Sequence, residues 1–141
     1  MNSSSFEEIS ENLSFLDDWE DRYRYLIELG QSLSPLTDEE RTAENKVHGC
    51  VSQVWLVVSE VKSGNETILE FRGDSDAMIV KGLVAVLIAI YSGSTPKQIS
   101  ALNAIAVLDD LGLREHLTSQ RSNGLVAMVE RIQAEANSRQ V

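Results

Sequence analysis

Residues 51–72 read VSQVWLVVSEVKSGNETILEFR. From Val51 to Val61 the chain is dominated by Val, Trp and Leu, residues that favour a pleated, packed surface, so this segment is expected to be a strand. Its near-continuous apolarity predicts cover on both faces over the first half. Ser63-Gly64-Asn65 is a turn signal. Beyond it, Thr67, Leu69 and Phe71 alternate with Glu66, Ile68, Glu70 and Arg72, the period of a half-buried strand. The two segments are expected to form an antiparallel hairpin. A short strand at Asn45–Val47 is expected to pair on the other side of the long one, which would put the intervening loop at one end of the sheet.

Helical patterns surround the hairpin. Ser3 to Ser5 offer caps for a first helix with Glu7 and Glu8 in its first turn and Ile9, Leu13 and Leu16 on one face. Trp19, Tyr23, Leu26, Ile27 and Gly30 share a face of a second helix, which the Asp17-Asp18 pair can cap. Thr37 and Glu40 have capping-box spacing and predict a short helix near Asp38–Asn45. Asp74-Ser75-Asp76 is expected to cap an apolar helix from Ala77. Thr95-Pro96 starts a short helix, with proline at its favoured first position. Leu102 to Leu117 reads only as loop and short helix. Ser122 or Asn123 is expected to cap a last helix with Leu125, Met128, Val129 and Ile132 inward. The fold class is α+β: a small antiparallel sheet of about three strands, flanked by helices.

With 141 residues, 43% of them hydrophobic, and only two prolines and eight glycines, the chain is expected to be one domain, 1–141. Twenty-two acidic against 12 basic residues give a net charge of −10, which argues against a nucleic-acid partner. The N-terminus has neither a basic start nor an apolar core, so no signal peptide is expected. The longest apolar run, Ala77–Tyr91, contains Lys81. At about 1.5 Å per residue it would be about 23 Å long, short of a bilayer, so no membrane partner is expected.

Between the Asn45–Val47 segment and the long strand lies Cys50, the only cysteine. One thiol excludes an internal disulfide, a Cys-x-x-Cys pair and a multi-thiolate metal site within one chain. A lone cysteine is ordinarily a small buried hydrophobe. A glycine-led loop before a strand, however, is where a reactive group is presented. Any chemistry at Cys50 is then done by one thiol, and whatever it acquires must leave to another molecule. The partnerless thiol fits a reducing cytoplasm.

Gly49-Cys50-x-Ser52-x-Val54-Trp55 resembles the active-cysteine motif of the SufE/CsdE family of sulfur acceptors in iron–sulfur cluster assembly. The resemblance continues in Gly73-Asp74-Ser75-Asp76-Ala77, Ile79-Val80-Lys81-Gly82-Leu83, Thr95-Pro96 and Arg121-Ser122-Asn123-Gly124-Leu125. Each motif is weak alone; in register from about Asp18 to Ile132 they are specific. The resemblance implies a fold like that of the IscU-type cluster scaffolds. It implies that Cys50 takes persulfide sulfur from a SufS- or CsdA-like cysteine desulfurase, stimulating it, and passes the sulfur on toward a cluster scaffold complex. Pyridoxal phosphate would belong to the desulfurase, and no cofactor is expected in this chain. Such a protein is a transfer partner rather than a stand-alone enzyme. Two other readings are a non-catalytic regulatory partner of a desulfurase and a thiol hydrolase using Cys50 with His48.

The candidate site is therefore Cys50 as the acceptor. His48, Gly49, Ser52, Gln53, Asp74, Asp76 and Arg121 are candidates for supporting its loop or meeting the partner. Asp74 and Asp76 read first as helix caps, and the family pattern adds that their turn lies beside the cysteine loop. Lys46, His48 or Arg121 could favour the thiolate. With only two histidines, His48 and His116, far apart in sequence, and one cysteine, no metal site is expected. Because a carried sulfur needs shelter while its loop needs reach, Cys50 is expected to be partly or wholly buried at rest.

Overall fold

The computed structural model describes residues 6–50, 52–115 and 117–139. The expected caps at Ser3–Ser5, and Val51 and His116, lie outside the described residues. The order is α1 (Phe6–Ser14), α2 (Trp19–Gln31), β1 (Val54–Ser63), β2 (Glu66–Ser75), α3 (Met78–Tyr91), α4 (Pro96–Ala101), α5 (Ala104–Asp110) and α6 (Ser119–Asn137).

β1 and β2 are the expected hairpin, antiparallel from Ser63 opposite Glu66 to Val54 opposite Ser75. Leu69 and Phe71 turn into the core as the alternation requires, and so do Val54 and Leu56. The other face of β1 is half covered, with the Arg41 guanidinium 6.0 Å from the centre of the Trp55 ring. The expected third strand is reduced to a single bridge, Lys46 opposite Trp55, flanked by Val47 N–H to the Val54 carbonyl and Leu56 N–H to the Asn45 carbonyl, both 2.8 Å. Three residues between two turns are too few to extend the ladder further.

α3 is the central helix and is buried on almost all sides, which is why its sequence shows no polar face. α2 crosses it at a glycine contact. A methyl at Gly30 would lie 2.8 Å from the Gly82 amide nitrogen, and one at Gly82 would run into the Leu26 carbonyl. The hairpin packs on α3 through Leu69 and Phe71 and through Gly73, where a methyl would lie 2.6 Å from Val84 Cγ1, and α6 closes the core with Leu125, Met128 and Ile132. α2 starts at Asp18, whose carboxylate accepts from the Glu20 amide, and α4 at Thr95 with a complete capping box.

Three other expectations are corrected. The Asp38–Asn45 helix is absent: its residues form successive turns. Thr37 and Glu40 do exchange their capping hydrogen bonds. Asn45, however, donates its side-chain amide to the Glu40 carbonyl and its backbone N–H to Thr42 Oγ1, and side-chain bonds of this kind compete with the helical ladder. Asp74 and Asp76 do not cap α3. Its cap residue is Ala77, without a side-chain bond to the helix, and both carboxylates are engaged elsewhere. α6 starts earlier than expected, because Thr118 rather than Ser122 or Asn123 is its cap and accepts from the Arg121 amide at 3.2 Å. Gly124 is consequently inside the helix, not beside its start.

Candidate functional site

The loop between Lys46 and Val54 turns at His48–Gly49. Gly49 has φ +97°, a conformation that costs a side-chain-bearing residue but not glycine. The turn sends Cys50 inward toward α6, leaving it half-buried and His48 exposed. The thiol of Cys50 donates to the Gly124 carbonyl at 3.4 Å. A methyl at Gly124 would stand 3.4 Å from Sγ and 3.6 Å from Cα of Cys50, ordinary van der Waals contact, so Cys50 lies directly against α6 at this glycine.

A cavity of about 20 Å³ adjoins Cys50. Val80 and Leu83 of α3 and Gly124 and Met128 of α6 form its apolar wall, and Ser52, Gln120 and Arg121 its polar part. Burial pushes the Cys50 thiol above its ordinary pKa. At rest the group is therefore a neutral thiol, and becoming a nucleophile requires relief of that burial.

The structure places the other candidate residues in different parts of this region. Ser52 and Arg121 share the cavity with Cys50, and Arg121 Nη1 donates to the Tyr23 hydroxyl at 2.9 Å. Gly49 and exposed His48 form the tip; the partner of Sγ is the Gly124 carbonyl, not an imidazole. Gln53 and Asp76 form a reciprocal clasp where the loop enters β1. The Gln53 amide donates to Asp76 Oδ1 at 3.0 Å, and the Asp76 amide to the Gln53 carbonyl at 3.2 Å.

Asp74 stands apart from the cysteine. It is 4% exposed and takes Arg41 Nη2 at 2.9 Å, Lys81 Nζ at 3.3 Å and the Ser75 amide at 2.8 Å. Burial opposes its ionisation, but the Arg41 and Ser75 hydrogen bonds and the Lys81 charge outweigh it and hold the carboxyl below its usual range. It pins the residue-41 turn and α3 to the end of β2.

Sequence reasoning missed the cavity wall. Val80, Leu83 and Met128 read as core, and Tyr23 as a packing residue. The available signal was Gly124: a glycine inside a helix costs about 1 kcal/mol relative to alanine and often marks a close approach. Among the described residues there is no cluster of His, Cys, Asp and Glu that could hold a metal, and no helix is long and apolar enough to cross a membrane.

Comparison with known proteins agrees with this architecture. Residues 7–136 match the family model SufE, described as Fe-S metabolism associated domain. An uncharacterized SufE-like protein of Rhizobium etli is 54% identical over 136 residues, covering 96% of this chain and 92% of that protein. Another, from Rhizobium meliloti, is 48% identical over 136 residues, covering 96% and 97%. The solution structure of a hypothetical protein from Thermus thermophilus shares the fold, with a TM-score of 0.69 over 98% of this chain and 97% of that one at 24% identity. The chain belongs to the SufE family of iron–sulfur metabolism.

Proposed function

We propose that the chain accepts sulfur on Cys50 from the persulfide of a SufS- or CsdA-like cysteine desulfurase, accelerates that enzyme by clearing its persulfide, and delivers the sulfur onward to a cluster scaffold complex. The observation that carries this reading is the apolar cavity of about 20 Å³ beside a half-buried lone thiol. A cavity needs roughly 10–15 Å³ to hold one water-sized particle, so there is room for about one added atom. An outer sulfur on Cys50 would be enclosed among Val80, Leu83 and Met128, away from reductant and oxidant.

The transfer follows thiol–disulfide logic. Cys50 loses its proton to solvent once its loop leaves the cavity. Its thiolate attacks the outer sulfur of the desulfurase persulfide. A new S–S bond forms on Cys50, the old S–S bond breaks, and the desulfurase cysteine departs as thiolate. Net oxidation is zero, since the sulfane sulfur carries its oxidation state across. A neutral resting thiol suits this sequence, because it limits reaction with anything that does not first draw the loop out. The chemistry requires a reduced thiol and is consistent with a cytoplasmic location.

Intact mass after incubation with a desulfurase and free cysteine tests the reading. A gain of one sulfur atom on the wild type, absent from Cys50→Ser, is the expected result. Stimulation of the desulfurase with no gain in mass would favour the regulatory reading instead. Against a Cys50–His48 hydrolase stand the exposed His48 and a thiol whose partner is a carbonyl.

A further inference from the structure

Cys50, Gly49 and the chain before them rest on one face of α6. Gly124 faces Cys50. A methyl at Gly49 would lie 3.2 Å from the Ala127 methyl, and Met128 walls the cavity. Positions 124, 127 and 128 recur at helical spacing, and the next position of that face is Arg131. Its guanidinium donates to two main-chain carbonyls at the root of the loop: Nη2 to Glu44 at 2.7 Å and Nη1 to Lys46 at 3.0 Å. Nε pairs with Glu135 at 2.9 Å, which holds the fork in orientation. Lys46 is also the residue bridged to Trp55. The root is thus tied to α6 and to β1 together. Beyond it, among the described residues, the one hydrogen bond tying the tip at His48–Cys50 to another element is the 3.4 Å thiol contact with Gly124.

From this we infer that Arg131 is a positioning residue for Cys50: by fixing the Glu44 and Lys46 carbonyls it makes the loop pivot at the left-handed Gly49 turn, so that the thiol returns to one cavity instead of sampling many poses. Planar, forked donation to two acceptors is the geometry a guanidinium provides and an ammonium does not. The inference deepens the sulfur-acceptor reading, which gives the pose its purpose, but the test involves no desulfurase.

The test is the rate at which Cys50, the only cysteine, is alkylated by a polyethylene glycol maleimide in the full-length chain. Arg131→Met keeps the aliphatic stem and removes the fork. It should be labelled about tenfold faster than the wild type, the change in opening equilibrium expected from losing one or two hydrogen bonds to a charged donor. Arg131→Lys, which keeps the charge beside Glu135, should fall between them. Arg139→Ala is the control: Arg139 shares Glu135 through a 2.7 Å contact but reaches Glu60 rather than the loop. It should label at the wild-type rate even where its melting temperature drops. Wild-type labelling of Arg131→Met, or equal acceleration in Arg139→Ala, overturns the inference. If Arg131→Met does not fold, Arg131→Lys decides, and labelling at the wild-type rate overturns it. Should Cys50 never gain sulfur in the desulfurase assay, the labelling rates still decide the role of Arg131.

Discussion

Trp55 is paired with Asp74 across the hairpin, and a short way before it in the chain is Cys50. The two polar groups at this end of the sheet are held in opposite ways. Asp74 is almost sealed and has Arg41, Lys81 and the Ser75 amide within 3.3 Å. Cys50 is half-buried over a cavity, with one sulfur contact at 3.4 Å. A buried carboxylate must be fully partnered or it costs several kcal/mol, so the Asp74 cluster is fixed. A neutral thiol can be buried cheaply and withdrawn cheaply. The contrast is between a mount and a moving part, and the Gln53–Asp76 clasp lies where they join.

The largest effect should come from Cys50→Ser. It removes the sole sulfur nucleophile and should abolish sulfur loading, read as the loss of any mass gain and of stimulated desulfurase turnover. Stability should change by about 1 kcal/mol or less, because the replaced atom makes a single weak bond. A variant that stimulates turnover fully would remove Cys50 from the mechanism and leave the regulatory reading.

Next comes the mount. Asp74→Ala takes Lys81's carboxylate away and leaves Arg41 only the carboxylate of exposed Asp38, at 3.2 Å; the Lys81 and Arg41 side chains are 25% and 31% exposed and so regain some water. Breaking a fully buried pair costs about 3–5 kcal/mol, and partial exposure should bring this nearer 2–3 kcal/mol in denaturant unfolding. Sulfur loading per folded molecule should persist. If stability is unchanged while loading fails, the cluster is part of the site rather than its support.

These contrasts explain what could and could not be read in the sequence. The hairpin was legible because Thr67, Leu69 and Phe71 alternate and Gly64-Asn65 marks the turn, and α3 because nothing else accommodates a run so apolar. Cys50 was legible as a lone thiol after glycine, and the motif in register around it identified the family. The start of α6 was misread because Ser122 and Asn123 are cap-type residues, while the true cap, Thr118, lies one turn earlier. Asp74 and Asp76 looked like caps because local sequence shows the helix next to them but not Arg41 or Gln53. Arg131 carried no signal at all, since its acceptors are main-chain carbonyls, which every residue has.

Asp76→Ala should act at the junction, with a smaller cost. It removes one acceptor from the Gln53 amide, worth about 1 kcal/mol, while the Asp76 N–H to Gln53 carbonyl bond can remain. The effect should appear as severalfold faster maleimide labelling of Cys50, with only a small fall in melting temperature. Unchanged labelling would detach the clasp from the cysteine and leave it a hairpin feature.

The smallest effect should separate the two regions by pH. Asp74 is held below its usual range. Its contribution is therefore complete above the unfolded aspartate pKa, about 3.9, and is lost as pH falls through the lower folded value. Cys50 is shifted the other way, since burial favours its neutral form. Its contribution is complete below the unfolded thiol pKa, about 8.5, and is lost as pH rises through the higher folded value. Burial also pushes up Tyr25 and Tyr91, so the alkaline limb of the wild type contains more than the thiol. The difference between wild type and Cys50→Ser isolates it. Their unfolding free energies should run parallel from neutral pH down through the acid limb, and converge or cross only above about pH 8.5. Labelling of the wild type should accelerate over that same alkaline range by more than the rise in thiolate of a free cysteine, because ionisation and withdrawal from the cavity are coupled. Parallel curves throughout, with labelling that follows simple thiol ionisation, would mean that the resting pose does not discriminate between thiol and thiolate, and the picture of a part held only while neutral would fail.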